Sequence, residues 1–343
     1  MRKLLNTLYV NTQDAYLARD GETVQVRIDR EVRFQIPIHN LEGIVVFGHS
    51  GVSPALIGLC AERGVALTFL TEHGRFLARL VGPISGNVLL RRRQYHLADD
   101  PAASLCLASA FVTAKIANAR SVLRRCIRDH EHAVAVRDIL RATETLTVLI
   151  GRAQSAQSID DLRGIEGEAA RTYFSVFDHL ITDQKSDFFF RGRSRRPPLD
   201  RVNALLSFVY TLLLHDTRSA LEAVGLDPAV GFLHKERPGR MSLALDAMEE
   251  LRPSLADRLV LSLINRRQVT AKGFVVRETG AVTMDEDTRK TVLVAWQKRK
   301  QEKIRHPYLN ENILVGLLPY AQSLLLARFL REDLDGYPPF FWK

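Results

Sequence analysis

The chain has 343 residues, of which 46% are hydrophobic and 25% charged, a composition typical of a globular protein with room for two domains. Its net charge of +9 favours polyanionic partners, although charge alone does not separate DNA from RNA or an acidic membrane surface. The three cysteines have no metal-ligand spacing and indicate reduced thiols. Because neither a cleavable leader nor an apolar run of membrane-spanning length is recognised, we expect a soluble cytoplasmic protein without a membrane partner.

The first part of the chain is predicted to be rich in β-strands. Residues 4–12, 22–28 and 32–38 are β-branched and alternating, and the Asp20-Gly21 pair is a hairpin signal between the first two. A buried strand is predicted at residues 44–47. A helix is predicted over 54–63, ending at Gly64. A second hairpin, residues 66–70 and 75–80, surrounds Glu72-His73-Gly74. Together these segments predict a small β-rich domain over residues 1–85.

The pattern changes after this domain. Pro83 precedes residues 86–101, which contain Gly86 and the basic run Arg91-Arg92-Arg93. We interpret residues 86–101 as a basic linker. Beyond them a period of 3.6 residues predicts an all-α domain over residues 102–343. Its predicted helices are 102–130, 133–154, 165–180, 201–224, 242–263, 283–303 and 310–331. The fold class is therefore α+β, with a small N-terminal β-rich domain and a larger helical catalytic domain.

The segment 231–253 combines several potential metal ligands. His234 lies in a loop rich in glycine, proline and arginine, and Ser242 is a candidate N-cap for a helix that carries Asp246 and Glu249. Residues three apart share a helix face, and a histidine directed at such a pair forms a nitrogen–oxygen site suited to Mg²⁺ or Mn²⁺. The alternative is a hydrogen-bonded loop histidine and a solvated acidic face, because carboxylate pairs are common on helices.

Glu166 is a further candidate. It is flanked by Gly164 and Gly167 at the predicted start of the helix over 165–180, where the helix dipole would favour its charge. The alternative is an acidic residue of the first helical turn with no other role. Glu168 competes with it, but two positions along it faces another side of the helix.

Several motifs in register carry a family resemblance. They are Gly-Ile-Glu-Gly followed by Ala-Arg-x-Tyr-Phe, Asp-x-Val-Asn-Ala-Leu-Leu-Ser-Phe-x-Tyr, and Gly-Phe-Leu-His with Ser-Leu-Ala-Leu-Asp-x-Met-Glu-Glu-Leu-Arg-Pro. In the N-terminal half, residues 36–48 and 60–70 agree as well. Over nearly its full length the chain resembles the universal CRISPR-associated endonuclease–integrase of spacer acquisition. Its length and its Tyr-Pro-Pro-Phe-Phe-Trp-Lys ending resemble the subtype I-C branch.

The resemblance implies a site and an activity. Glu166, His234 and Glu249 would hold a catalytic Mg²⁺ or Mn²⁺, with Asp246 as a supporting acidic residue of the catalytic site. The neighbouring Glu250 is assigned to the helix surface. The implied function is that of a metal-dependent DNA integrase and endonuclease. It inserts short foreign duplexes (spacers) into a CRISPR array by attack of a 3′-hydroxyl on a phosphodiester. The implied partners are double-stranded and branched DNA, a second copy of the chain bound through the β-rich domain, and the small CRISPR-associated partner protein of the adaptation complex.

Arginine clusters surround the candidate site in the sequence. Each cluster alone is more often a solvated face, but acidic ligands would repel DNA unless cations offset them. The predicted DNA contacts are Arg191, Arg193, Arg195, Arg196, Arg237, Arg240, Arg266 and Arg267. Two other functions stay open at this point: a metal-dependent nuclease that uses water as nucleophile, and a DNA-binding scaffold whose carboxylates are structural.

Overall fold

The computed structural model describes residues 7–41, 43–72, 76–80, 88–130 and 135–342. The chain divides into two units, Met1–Ser85 together with Glu286–Glu302, and Gly86–Asp285 together with Lys303–Lys343. The first unit is rich in strands and the second in helices. The predicted α+β class, with the strands mainly in the N-terminal part, is confirmed.

The secondary structure of the described residues is as follows. The helices are α1 (Pro54–Arg63), α2 (Val88–Asp99), α3 (Pro101–His130), α4 (Val136–Gln154), α5 (Ile159–Ser175), α6 (Arg201–Ala223), α7 (Ser242–Glu249), α8 (Arg258–Asn265), α9 (Glu286–Lys300) and α10 (Leu318–Leu330). The strands are β1 (Thr7–Val10), β2 (Tyr16–Asp20), β3 (Thr23–Ile28), β4 (Glu31–Pro37), β5 (Gly43–Phe47), β6 (Gly51–Val52), β7 (Ala66–Leu70), β8 (Phe76–Arg79), β9 (Phe274–Val276), β10 (Val282–Met284), β11 (Lys303–Arg305) and β12 (Asn312–Leu314).

Two four-stranded sheets form the first unit. One has the order β1-β5-β7-β8, with β5 parallel to both β1 and β7, and the other has the order β4-β3-β2-β6. All five residues of β5 are buried, as expected for a central parallel strand covered on both faces. Helix α1 begins after Ser53, whose hydroxyl accepts the Leu56 N–H, and ends at Gly64 in the left-handed region with φ 67°. Its start and end are those that the sequence predicts.

The first hairpin differs from its prediction. The Asp20-Gly21 turn joins β3 to β2, and not to the strand predicted over residues 4–12. Residues 4–6 lie outside the described part of the chain, and β1 pairs with β5 in the other sheet. Strand β2 has little apolar alternation, since only Leu17 and Ala18 of its five residues are buried, which explains why the pattern did not reveal it. Of the second hairpin, β7 and β8 pair as predicted, while His73 and Gly74 lie outside the described residues.

Long helices dominate the second unit, and α3 packs against both α4 and α5. Of the described helices, α3 alone is long and apolar enough to cross a membrane, but 56% of the relevant stretch is buried inside the protein. Phe111, Val112 and Ala114 on α3 are fully buried. Such burial is typical of the core helix of a globular domain. Helix α3 therefore forms the central support on which the candidate site is built.

The predicted linker over residues 86–101 contains a helix. Residues 86 and 87 lie outside the described part, and α2 follows from Val88. Its Gln94 is fully buried and its side-chain amide donates hydrogen bonds to the carbonyls of Asp227 and Val230, both at 2.8 Å. The run of charged residues obscured the helical period, so the sequence suggested a connector where the structure has an anchored helix.

Other boundaries in the second unit also differ from prediction. The helix predicted over 242–263 is interrupted after α7 by a π-helical turn, Arg252–Asp257, because Pro253 has no N–H to donate to a regular helix. Two short antiparallel pairs, β9 with β10 and β11 with β12, make this unit not purely α-helical. Helix α9, predicted within the helical domain, belongs to the first unit, where Gln297 donates a hydrogen bond to the Thr7 carbonyl at 3.0 Å.

Candidate metal centre

Glu166 lies in the third turn of α5, and not at the helix start predicted from its flanking glycines. The helix begins earlier, at Ile159, and Ser158 caps it by accepting a backbone N–H. Because the influence of the helix dipole is confined to the first turn, it does not explain the position of Glu166. The Glu166 carboxylate instead contacts the ammonium group of Lys115 on α3. Glu168, its competitor in the sequence, is exposed on another face.

Glu249 is the last residue of α7, and only 4% of its side chain is exposed. Arg252 contacts its Oε1 at 2.7 Å, and the Lys115 Nζ contacts its Oε2 at 2.7 Å. Burial alone would raise the pKa of this carboxyl group. The positive charges of Arg252 and Lys115, together with His234, outweigh burial and lower the pKa to about 2. Glu249 is therefore a carboxylate with a cation at each oxygen.

The His234 loop is held by Asp246, whose side chain is fully buried on α7. Asp246 Oδ2 accepts the backbone N–H groups of Phe232 at 2.7 Å and Leu233 at 2.9 Å. Its Oδ1 accepts the backbone N–H of His234 at 3.1 Å and lies 2.5 Å from the ring Nδ1. This contact directs Nδ1 toward the carboxylate and leaves Nε2 as the nitrogen available to a ligand, the arrangement typical of metal-binding histidines.

Gly231 allows this loop to lie directly on α7. A Cβ at this position would be 2.6 Å from Asp246 Oδ2, 2.7 Å from the Ser242 carbonyl carbon and 2.9 Å from the Leu243 nitrogen. These distances are too short for any side chain, and two of the three atoms belong to the backbone. On the opposite side of the loop, Arg163 of α5 donates to the Leu233 carbonyl, with its Nε at 2.9 Å. The loop is thus fixed to the two helices that carry Glu166 and Glu249.

Lys115 was not among the residues that the sequence singled out. It lies in the middle of α3, its side chain is 15% exposed, and its ammonium group contacts both Glu166 and Glu249. Burial lowers the pKa of Lys115, but the two carboxylates raise it by more, so the net shift is upward. Its sequence signal is a single lysine within the apolar run Ala-Phe-Val-Thr-Ala-Lys-Ile-Ala. A charge at a buried helix position requires a partner.

The chemistry of this cluster fits a divalent cation. A cation, the Lys115 ammonium, already lies between the two carboxylates, and the buried Glu249 Oε2 accepts no hydrogen bond of regular geometry. Carboxylate oxygens and an imidazole nitrogen are ligands that Mg²⁺ and Mn²⁺ accept. Among the described residues, no three histidine, cysteine, aspartate or glutamate side chains stand close enough together to hold a metal ion. The structure therefore brings Glu166 and Glu249 together around the Lys115 ammonium, and the His234 ring does not complete a three-ligand cluster with them.

A pocket of about 50 Å³, partly open to solvent, adjoins Glu166. Within its wall the Tyr210 ring lies between the guanidinium groups of Arg193 at 5.1 Å and Arg252 at 5.0 Å, distances typical of cation–π contacts. The Tyr210 hydroxyl donates a 2.6 Å hydrogen bond to Asp257. Burial raises the pKa of Asp257 to about 6, against the lowering effect of its Tyr210 hydrogen bond and of nearby arginines. The cavity is therefore lined by both aromatic and cationic groups.

Glu250, which the sequence suggested on the helix surface, is fully buried. It accepts the Tyr337 hydroxyl at 2.6 Å and the Phe340 N–H at 2.7 Å. Asn118 on α3 donates to both the Glu250 carbonyl at 2.6 Å and the Phe340 carbonyl at 2.8 Å. The apolar tail thus packs inside its own chain against the residue that follows Glu249. Burial raises the pKa of Glu250 to about 7 despite these hydrogen bonds.

The predicted DNA-binding arginines fall into three groups. Arg193 donates hydrogen bonds to Asn203 and Ser207, and Arg267 pairs with Asp183 at 2.7 Å and 2.9 Å. These two are engaged in contacts within the protein. Arg240 is half-buried in the His234 loop. The remaining ones are exposed and available to a polyanion: Arg191, Arg195, Arg196, Arg237 and Arg266.

Comparisons with known proteins identify close relatives. A model of the family described as CRISPR associated protein Cas1 matches residues 8–298. The chain is 57% identical over 343 residues to the CRISPR-associated endonuclease Cas1 1 of Chlorobaculum tepidum, covering 100% of both chains. A CAS1 protein from Thermotoga maritima has a TM-score of 0.82 at 24% identity, over 98% of this chain and 100% of that one. A casposase bound to its integration product has a TM-score of 0.81 at 24% identity, over 96% and 92%. At these identities the two structures establish the fold alone.

Proposed function

The chain belongs to the Cas1 family, and we propose that it is a metal-dependent DNA integrase acting in the cytoplasm. It inserts short foreign duplexes into a CRISPR array by transesterification, and it also cleaves DNA. We propose the I-C subtype on the resemblance of its Tyr-Pro-Pro-Phe-Phe-Trp-Lys motif. The proposal extends to this chain the activity named for its full-length relatives, which are endonucleases by name.

One observation carries the proposal. Carboxylates from two helices, Glu166 on α5 and Glu249 on α7, share a single cation, the Lys115 ammonium. His234 lies close enough to contribute to the lowered pKa of Glu249, and Asp246 directs the Nδ1 of that ring inward. A buried and a partly buried carboxylate that already share one positive charge offer oxygen ligands of the kind that a divalent cation takes. A purely structural ion pair would not require the histidine.

The residues have distinct roles in this proposal. Glu166, Glu249 and His234 Nε2 would hold Mg²⁺ or Mn²⁺, which supplies Lewis-acid polarisation of the scissile phosphate and a lowered pKa of the attacking hydroxyl. Asp246 fixes the orientation of the His234 ring. Arg237 and Arg240 flank His234 in the same loop and are positioned in the sequence to offset the negative charge that develops on the phosphate. Arg252 keeps Glu249 ionised and oriented.

The proposed partners follow from family membership and charge. Double-stranded and branched DNA are the substrates, attracted by the net charge of +9 and the exposed arginines near the site. A chain with the same fold occurs in a solved Cas6-RT-Cas1–Cas2 complex, which supports a small Cas2-type partner here. We propose that the first unit also forms the contact between two copies of the chain, since the solvent-exposed edge strand β4 needs protection.

A strand-transfer assay tests the proposal. The protein and its small partner are mixed with a short duplex and a supercoiled plasmid that carries the repeat. Mn²⁺ is compared with a chelator, and wild type with Glu249→Ala. Glu168→Ala is the matched control, because Glu168 lies two residues from Glu166 on the same helix but is exposed and pairs with Arg152.

Each product identifies one function. Metal-dependent joining that Glu249→Ala abolishes and Glu168→Ala preserves supports the integrase and this ligand assignment. Shortened or nicked strands without joining indicate a nuclease that uses water. Unchanged DNA binding in chelator with no turnover in Mn²⁺ indicates a scaffold and contradicts the proposal.

A further inference from the structure

Lys115 has an unusual position for a lysine. Its side chain is largely buried, and its ammonium group contacts Glu166 Oε1 and Glu249 Oε2, the latter at 2.7 Å. Arg252 occupies the other oxygen of Glu249. Two carboxylates and two cations therefore balance within one cluster. The balance is achieved by a long, flexible side chain that comes from a third helix, α3.

A divalent ion and the ammonium cannot hold these positions together. The ion needs the Glu249 oxygen that Lys115 contacts, since Arg252 already engages the remaining Glu249 oxygen. Two positive charges a few ångströms apart in a buried site repel each other strongly. Binding of the ion therefore requires Lys115 to leave, whereas Arg252 can stay.

The structure contains room for the displaced side chain. Lys115 lines the partly open pocket of about 50 Å³, together with the small side chains of Ala119, Ala169 and Ala170. A lysine side chain has several rotatable bonds and a compact charge, so it can move its ammonium group into this space without a shift of α3. Arg193 and Arg195 line the same cavity, which makes it a place where an anionic strand would meet the displaced charge.

We propose that the Lys115 ammonium occupies the metal position when no metal is bound, and that it is displaced into the adjoining cavity when a divalent ion binds. Lys115 is therefore a positioning residue that sets the metal affinity of the site. The inference rests on the proposed function, because it takes Glu166 and Glu249 to be metal ligands. The exchange keeps the carboxylates neutralised in both states and raises the metal concentration at which the site fills.

Direct binding of Mn²⁺ tests this competition. Free Mn²⁺ is measured from its paramagnetic resonance signal during titration of wild type, Lys115→Met and Lys115→Arg. The methionine has similar length without charge, so we expect Mn²⁺ to bind about tenfold more tightly. The arginine keeps the charge and should bind Mn²⁺ as weakly as wild type. Lys185→Met, at an exposed lysine that pairs with Asp178, is the matched control and should leave the affinity unchanged.

The outcomes separate this inference from the proposed function. Loss of Mn²⁺ binding in Glu249→Ala, with equal or weaker binding in Lys115→Met than in wild type, keeps the metal site and overturns the competition. Absence of Mn²⁺ binding in both wild type and Lys115→Met, or binding that persists in Glu249→Ala, overturns both.

A measurement on the wild-type protein covers the case in which Lys115→Met does not fold. Lys115 is acetylated with a water-soluble reagent, and the modified peptide is quantified by mass spectrometry in chelator and in saturating Mn²⁺. We expect faster acetylation in Mn²⁺, because the displaced amine leaves its ion pair for the open cavity. Equal or slower acetylation in Mn²⁺ would overturn the proposed displacement.

Discussion

Asp246 holds His234 from two directions with a single oxygen. Its Oδ1 accepts the backbone N–H of His234 at 3.1 Å and also lies 2.5 Å from the Nδ1 of the same ring. The loop position and the ring orientation of the histidine are therefore fixed by one buried carboxylate. The two acidic residues of α7 have different partners, since Glu249 contacts the cations and Asp246 contacts the histidine.

Asp246→Asn should lower both the stability of the protein and its affinity for Mn²⁺. The asparagine amide would place an NH₂ group where a carboxylate oxygen now accepts N–H groups of the His234 loop. We therefore expect a loss of about 1–3 kcal/mol in the free energy of unfolding. Ring orientation would also be lost, and Mn²⁺ affinity and strand transfer should fall by about 10–100-fold. Chemical denaturation and Mn²⁺ titration measure the two effects. Asp335→Asn, at an exposed aspartate, is the control, and wild-type affinity in Asp246→Asn would contradict the role of Asp246.

Gly231→Ala should damage the site without touching a ligand. The new Cβ would be 2.7 Å from the Ser242 carbonyl carbon and 2.9 Å from the Leu243 nitrogen, so the His234 loop must move away from α7. We expect a loss of about 1–3 kcal/mol in unfolding free energy, together with weaker Mn²⁺ binding.

Gly151→Ala is the matched control for this change. Gly151 lies within α4, where an added Cβ meets nothing within 4 Å. Alanine should stabilise the helix by about 1 kcal/mol and leave metal binding unchanged. Equal effects of the two substitutions on Mn²⁺ binding would show that the close approach of the loop to α7 is unimportant.

The exposed and the internally bonded arginines should respond differently to alanine. Arg195 and Arg196 are exposed, so the double substitution should reduce the slope of log affinity against log salt by about 2 for a duplex. Its unfolding free energy should stay within about 0.5 kcal/mol of wild type. Arg193→Ala should instead lower stability by about 1–3 kcal/mol, because Arg193 contacts the buried Asn203 and the Tyr210 ring. A changed salt slope with unchanged stability in Arg193→Ala would indicate that Arg193 contacts DNA.

Local patterns in the sequence predicted much of this architecture. The 3.6-residue period marked α3 and α6 nearly to their ends, and the helical spacing over residues 54–63 with its stop at Gly64 predicted α1. The three-residue spacing of Asp246 and Glu249 correctly put both on one helix. Each of these features depends on residues close together in the chain, where helix geometry alone determines which side chains are neighbours.

Contacts between distant segments were not predictable in the same way. Lys115 meets a carboxylate 51 positions later, and Asn118 meets the tail at Phe340, 222 positions later. Nothing in a local pattern indicates which distant segment will cover a helix, so Glu250 was interpreted as a surface residue. Its charge suggested solvent, whereas Tyr337 and the Phe340 N–H satisfy it inside the protein. Buried polar residues are determined by such partners.

The buried Asp257 should make stability depend on pH. Burial raises its pKa from 3.8 to about 6 in the folded protein, so the folded state retains a proton that the unfolded state releases. The stabilising contribution is therefore complete below about pH 4 and is lost as pH rises through about 6, with a total of about 3 kcal/mol. Asp257→Asn carries no titrating proton but can still accept the Tyr210 hydroxyl. Relative to this variant, wild type should lose most of this contribution, about 2 kcal/mol of unfolding free energy, between pH 4 and pH 7.

Denaturant titrations across that pH range measure the difference between the two proteins. Subtracting the Asp257→Asn curve from wild type removes the contributions of other titrating groups that are common to both. Asp335→Asn, at the exposed position, should reproduce the wild-type curve at every pH. A constant difference between wild type and Asp257→Asn from pH 4 to pH 7 would mean that Asp257 titrates alike in the folded and unfolded states. Asp257 would then be an ionised carboxylate in the folded protein, stabilised by the charges of Arg193 and Arg252 on the Tyr210 ring.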